Sequence, residues 1–182
     1  MGNDGDFQDR RFVDIINNDL AYTIGNLLNR TSSMSRKWFD NKVPNNDKTS
    51  SENKLEFLAK TSVKNYIIKF IIYILDQAAN EVLSLAINTN LYLNDNQPWL
   101  LIKENDKLPV VKEIIYNVLE STRIIGLLLL PLLPELSSKI NLQLGSIYQK
   151  DVPWKQQLKW GLLTTNSKLP KPSPIINKLE YE

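Results

Sequence analysis

The chain contains no cysteine and no histidine. Without cysteine there is no disulfide scaffold, no thiolate metal site and no cysteine nucleophile. Without histidine the commonest general base, the commonest zinc ligand and every Ser-His-Asp arrangement are excluded. Long apolar runs are missing as well. The longest, Ile124 to Leu133, carries Pro131 and is too short to span a bilayer. Met1 to Asp6 is polar and acidic, unlike a signal or transit peptide. These absences point to a cytosolic (cytoplasmic) protein with no membrane partner. Charge of one sign is scarce too: 22 Lys plus Arg against 20 Asp plus Glu leave a net charge of +2, which neither announces a nucleic-acid binder nor forbids one; no DNA partner is expected.

What is present suits a globular fold. Of the 182 residues, 42% are hydrophobic and 23% charged, the proportions of a packed soluble domain. A chain of this size buries about 70% of its unfolded surface, so a core needs no staples. Apolar residues at Phe12, Ile16, Leu20, Ile24, Leu27, Leu28 and Met34 recur at helical spacing. Gly25 inside that pattern predicts a close helix crossing or a kink. A second run, with Val63, Ile67, Phe70, Ile71, Ile74, Ala78, Val82, Leu85 and Ala86 on one face, predicts one helix of well over twenty residues. Asn94, Asp95 and Asn96 end it, and Pro98 suits the first turn of a short helix. Leu108 to Leu129 reads as a third long helix, and a last one runs to about Leu144, where Gly145 suits a left-handed stop.

The expected architecture is therefore all-α. Residues 1–145 form a bundle of four to five helices, with a polar loop at 40–54. Residues 146–182 form an extended strap, rich in proline, whose Tyr148, Trp154 and Trp160 need helices to pack on.

Three features rise above the bundle. Asn26 and Arg30 stand four apart, so both side chains leave one helix face. An amide beside a guanidinium reads base edges and holds phosphates; a surface Asn and an Arg paired with neighbouring acids is the plainer alternative. Trp99, held by Pro98 after a polar turn, is a stacking platform or a Trp buried between helices. Lys103, four residues on, would share its face and touch phosphate, or is an ordinary surface lysine. Asn90 and Tyr92, just upstream, would orient the Trp99 segment through hydrogen bonds, since helix ends leave carbonyls unpaired; a structural role is the plainer and favoured alternative. No catalytic residues and no metal site emerge. Gly2 and Gly5 lack the Lys-Ser/Thr of a phosphate loop, and the acids Asp4, Asp6, Asp9 and Asp14 lack clustered partners.

In order along the chain, Gly2 to Phe7, Asn17 to Ala21, Gly25-Asn-Leu-Leu-Asn-Arg30, Asn90-Leu-Tyr92 and Gln97-Pro-Trp99 resemble the anticodon-binding domain of methionyl-tRNA synthetases. Tyr116 to Glu120, Leu130 to Pro134, Gln143 to Gly145, Trp160-Gly161, Lys168 to Pro172 and Pro174 to Glu180 continue the likeness through the tail. The resemblance implies that Asn26 and Arg30 contact the anticodon and that Trp99 stacks on one of its bases. The implied partner is the CAU anticodon loop of the methionine tRNA. The family's His-Ile-Gly-His and Lys-Met-Ser-Lys-Ser signatures for ATP are absent, as are its zinc-binding insertion and methionine pocket. No cofactor is therefore expected in this chain, although the whole family enzyme uses ATP and some members zinc. The chain looks like the C-terminal portion of such an enzyme: a truncated product, a fragment, or half of a split synthetase awaiting a separate catalytic chain, and inactive alone. The rival expectation is a remnant that acts as a helical protein-interaction module.

Overall fold

The computed structural model describes residues 9–46, 53–146 and 148–180. The Gly2 to Phe7 stretch, the Asp4 and Asp6 acids and residues 47–52 of the polar loop lie outside the described residues.

The described residues are helical with no strand; their only β feature is an isolated bridge between Lys42 and Lys168. α1 (Asp9–Asp14) runs on into a π-helical stretch, Ile15–Gly25, and then into α2 (Asn26–Trp38). The wider turn is seen directly: Asn26 N–H donates to the Ala21 carbonyl, five residues back. Among the described residues no other helix crosses at Gly25. What lies above it is Ile175 of the C-terminal strap, 3.6 Å from where a Cβ would sit.

The expected single second helix is two helices, α3 (Lys54–Ile71) and α4 (Leu75–Asn96), packed as a hairpin. Asn53 caps α3, accepting a hydrogen bond from Glu56 N–H at 3.1 Å. The break falls at Tyr73, whose φ of 61° stops the helix with no glycine or proline to announce it. α5 (Pro98–Leu101) and a 3₁₀ turn (Asn105–Lys107) lead to α6 (Leu108–Leu129), whose residues from Val111 on are almost all buried. A helix buried on every side belongs at the centre, and α2, α3, α4, α5 and α7 all pack on α6.

α7 (Pro134–Gln143) follows a turn with proline at its first position. Its end carries both Schellman bonds, Gly145 N–H to Leu142 carbonyl at 3.1 Å and Ser146 N–H to Asn141 carbonyl at 2.9 Å. Gly145 takes φ 64°, as the sequence led one to expect. The close helix crossing occurs at Gly126 instead, where a Cβ would lie 2.9 Å from Ile140 Cγ2.

Beyond α7 the strap, which includes the short α8 (Trp154–Gln157), returns over the bundle. Trp154 indole N–H donates to the Leu127 carbonyl at 2.9 Å. Glu120, fully buried, accepts N–H bonds from Gly161, Leu162 and Leu163 at 2.7, 3.1 and 3.0 Å. Arg123, 3% exposed, pairs with Glu120 through both Nε and Nη2 and donates to the carbonyls of Gln157 and Lys159 at 2.6 and 2.7 Å. Tyr116 hydroxyl donates to the Leu163 carbonyl at 3.2 Å, and burial pushes its pKa up to about 12. Val43, at the start of the 40–54 loop, is buried and exchanges backbone bonds with Asn166 and Ser167. Further on, the Asn17 side chain both donates to and accepts from the Leu179 backbone, at 2.9 and 2.8 Å. Among the described residues no helix is long and apolar enough to cross a membrane.

Candidate nucleic-acid interface

The elements that matter are the first turns of α2, the last turns of α4, and α5. α4 cannot run on into α5 because Gln97 takes a left-handed conformation, φ 43° and ψ 55°. Gln97 carbonyl then accepts Leu100 N–H at 2.9 Å, and Pro98 fills the first helical position, where no N–H is needed. This sharp turn sets Trp99 half-buried against the core, so its ring is braced from behind.

Arg30 comes to the same place from α2. Its Cζ lies 5.8 Å from the Trp99 ring centroid, a cation–π distance. Its Nη2 donates to Asn94 Oδ1 in the last turn of α4, at 3.1 Å. Among the described residues no carboxylate lies within ion-pair distance of Arg30. The alternative of an arginine neutralised by neighbouring acids therefore finds no support. The guanidinium is held by a neutral amide and an aromatic face, and the rest of its donor fork is open to a ligand.

Asn26 shares a groove of about 220 Å³ with Arg30, Asn90 and Asn94. The helical spacing thus does bring Asn26 and Arg30 to one surface. Among the described residues the Asn26 amide has no hydrogen-bond partner, while its N–H closes the last π turn.

The side chains of Asn90 and Tyr92 bond elsewhere than to the Trp99 segment, in keeping with the structural alternative. Asn90 donates to the carbonyls of Thr23 and Ala86, at 3.0 and 3.1 Å. It ties α4 to the π stretch, not to α5. Tyr92 points inward and accepts from Asn117 Nδ2 at 3.3 Å. Burial raises the Tyr92 pKa, partly offset by the Asn117 bond, with the charge of Glu113 raising it further. Lys103 is exposed and lies just past the end of α5, in a turn that continues through Lys103 N–H to the Leu100 carbonyl.

Asn94 is the residue that sequence reasoning passed over, having been taken only as a helix breaker. A signal existed: Ile87, Leu91 and Asn94 follow one another at helical spacing, and all three are exposed.

Comparison with known proteins gives one consistent answer. The family profile described as the anticodon binding domain of methionyl tRNA ligase matches residues 43–182. That span includes Asn90, Tyr92, Trp99 and Lys103, and lies beyond Asn26 and Arg30. The methionine–tRNA ligase of Nostoc sp. is 36% identical over 99% of this chain and 35% of its own length. That of Thermosynechococcus vestitus is 37% identical over 98% of this chain and 35% of its own length. These alignments extend over α2. The crystal structure of free-state Mycobacterium tuberculosis methionyl-tRNA synthetase superposes with a TM-score of 0.87 at 26% identity, covering 99% of this chain and 36% of that one. The chain thus spans about a third of the length of the relatives it matches.

Proposed function

Because the chain belongs to the methionyl-tRNA synthetase family through its anticodon-binding domain, we propose that the face built by Asn26, Arg30 and Trp99 reads the CAU anticodon loop of the methionine tRNA. The observation that carries this reading is the guanidinium of Arg30, unneutralised among the described residues and held over the Trp99 indole by Asn94. On this reading the first anticodon base leaves its stack and covers the indole. Single-stranded RNA is recognised in this way, by aromatic faces below a splayed base and polar groups at its edge. Arg30 and the Asn26 amide meet that edge and the adjoining phosphate. Lys103 adds positive charge at the margin. Asn90 and Tyr92 act at one remove, fixing α4 against the π stretch and against α6.

The chain takes part in methionine–tRNA ligation as the tRNA-reading portion and has no catalytic residue of its own. No cofactor is asked of it. The ATP of the ligation reaction, and zinc where a relative uses it, belong to a catalytic portion supplied by a separate domain or chain. That assembly is favoured by an apolar cleft of about 430 Å³ lined by Ile16, Leu20, Leu132, Leu133, Leu136 and Ile175.

The test is binding to a CAU tRNA against the same tRNA with its first anticodon base changed. The CAU tRNA should bind more tightly. Trp99→Ala should weaken it by about 1–3 kcal/mol, the worth of one stacked base, and erase the preference. Equal binding of both tRNAs, seen only at low salt, would leave generic electrostatics and sink the assignment.

A further inference from the structure

The groove beside Arg30 holds more than the proposed reading uses. It is lined by Tyr22 and Thr23 of the π stretch, Asn26 and Arg30 of α2, and Ile87, Asn90, Leu91 and Asn94 of α4. Single exposed apolar side chains are ordinary. Here three converge: Tyr22 is 65% exposed, Leu91 51% and Ile87 45%, all on one groove. Between them stand amides with capacity in hand. Asn94 Oδ1 accepts from Arg30, which leaves its NH₂ to donate. Asn90 Nδ2 is spent on two carbonyls, which leaves its Oδ1 to accept. Asn26 offers both.

Apolar and aromatic walls with a few amide edges suit a flat, neutral heterocycle better than a phosphate, which would draw several cations. At about 220 Å³ the groove is smaller than the roughly 300–1,000 Å³ of drug-sized pockets and suits one ring system. Arg30 lines the groove and also holds its guanidinium over the Trp99 indole, so the two places share one side chain.

We propose that this groove is a second nucleobase subsite, in which Tyr22 stacks on the anticodon base next to the one on Trp99. The proposal rests on the anticodon-loop reading above. The π-helical turns that carry Tyr22 are of a kind that recurs at functional sites. Asn90, by bonding to the Thr23 carbonyl, fixes the distance between the groove's two walls.

Two RNA stem-loops decide it, one with the CAU loop and one whose second anticodon position is abasic. Each is titrated with the unmodified chain and with Tyr22→Ala, Tyr22→Phe and Trp99→Ala. Tyr22→Ala should weaken the CAU loop roughly 5- to 150-fold, the span of one base–aromatic stack, and leave the abasic loop unchanged. Tyr22→Phe, which keeps the ring, should bind the CAU loop within about twofold of the unmodified chain. Circular dichroism should show unchanged helix content, since Tyr22 is mostly exposed. If Tyr22→Ala binds the CAU loop normally while Trp99→Ala does not, the second subsite fails and the anticodon reading stands. If Tyr22→Ala weakens both loops equally, the stacking partner is not that base and the proposal fails. If neither variant alters binding, the anticodon reading falls and takes the subsite with it.

Discussion

Two arginines in this chain do opposite work. Arg123 is buried, paired through two nitrogens with the equally buried Glu120, and bonded to two strap carbonyls. Its hydrogen-bonding capacity is spent on its own chain. Arg30 is half-buried, with one neutral amide and one indole face for company among the described residues. A guanidinium with four of its five donors engaged within its own chain fixes a fold, and one whose fork is left open is available to something else. Residue type does not separate the two cases; the neighbours do. Arg123 sits three residues from a glutamate on the same helix, whereas the partners of Arg30 are 64 and 69 positions away.

The sharpest way to break the comparison is to remove each guanidinium. Arg123→Met strands Glu120 as a buried charge and should cost about 3–5 kcal/mol. For a chain of this size that lowers Tm by roughly 6–20 °C. Arg30→Met should move Tm by no more than about 2 °C, as surface changes do, while weakening RNA binding. Thermal unfolding followed by circular dichroism reads both, and equal Tm losses would erase the distinction.

The glycines offer a parallel contrast. Gly126→Ala drives a methyl into Ile140 and should cost about 1–3 kcal/mol of overpacking. Gly25→Ala meets only ordinary contacts at 3.5 and 3.6 Å and should be neutral, or stabilising by up to about 1 kcal/mol through helix propensity. Urea midpoints of the two variants give the comparison directly.

Arg30→Lys tests geometry with charge held constant. Loss of the planar fork should weaken the CAU tRNA about tenfold, or ~1.4 kcal/mol. An unchanged affinity would mean that only the charge matters. Last, salt should act on one region alone. With Arg30 and Lys103 as two phosphate contacts, the single-strand slope predicts about sevenfold weaker binding between 50 and 200 mM salt. The Tm, set by the buried pair, should barely respond over the same range.

Much of the scaffold could be read from the sequence, and the reasons are local. α6 was legible end to end, from Leu108 to Leu129, because its apolar run is long and Pro109 sits where a helix begins. Gly145 announced the stop of α7 through the one conformation it tolerates and others resist. The α3–α4 break was hidden because Tyr73 turns the chain with neither glycine nor proline, held there by packing of the hairpin. The π stretch left only a faint mark: Phe12, Ile16, Leu20 and Ile24 step by four with no step of three, a spacing that a widened turn favours but an α-helix also allows. At the candidate site, spacing showed that Asn26 and Arg30 share a face but not what they face. Their meeting with Trp99 depends on the left-handed turn at Gln97, and the lack of an acid beside Arg30 among the described residues is a fact of three dimensions. The Glu120–Arg123 clasp was invisible for the converse reason. Two charges inside an apolar helix look like its solvent side until the strap is seen to cover them.

The pairing of Asn17 with Leu179 bears on how the chain comes to be folded. It closes a loop of 162 residues, whereas the α3–α4 hairpin closes over a three-residue turn. Contacts of such sequence separation form late, because the entropy of bringing distant segments together must be met before any bond rewards it. At a ribosomal rate of roughly 5–20 residues per second, Asn17 waits about 8–30 s for its partner to be made. Over that interval the π stretch, which carries Tyr22 and runs into Asn26, has no strap above it. The edge that carries Tyr22 and Asn26 therefore reaches its final form only after the segment around Leu179 has been made.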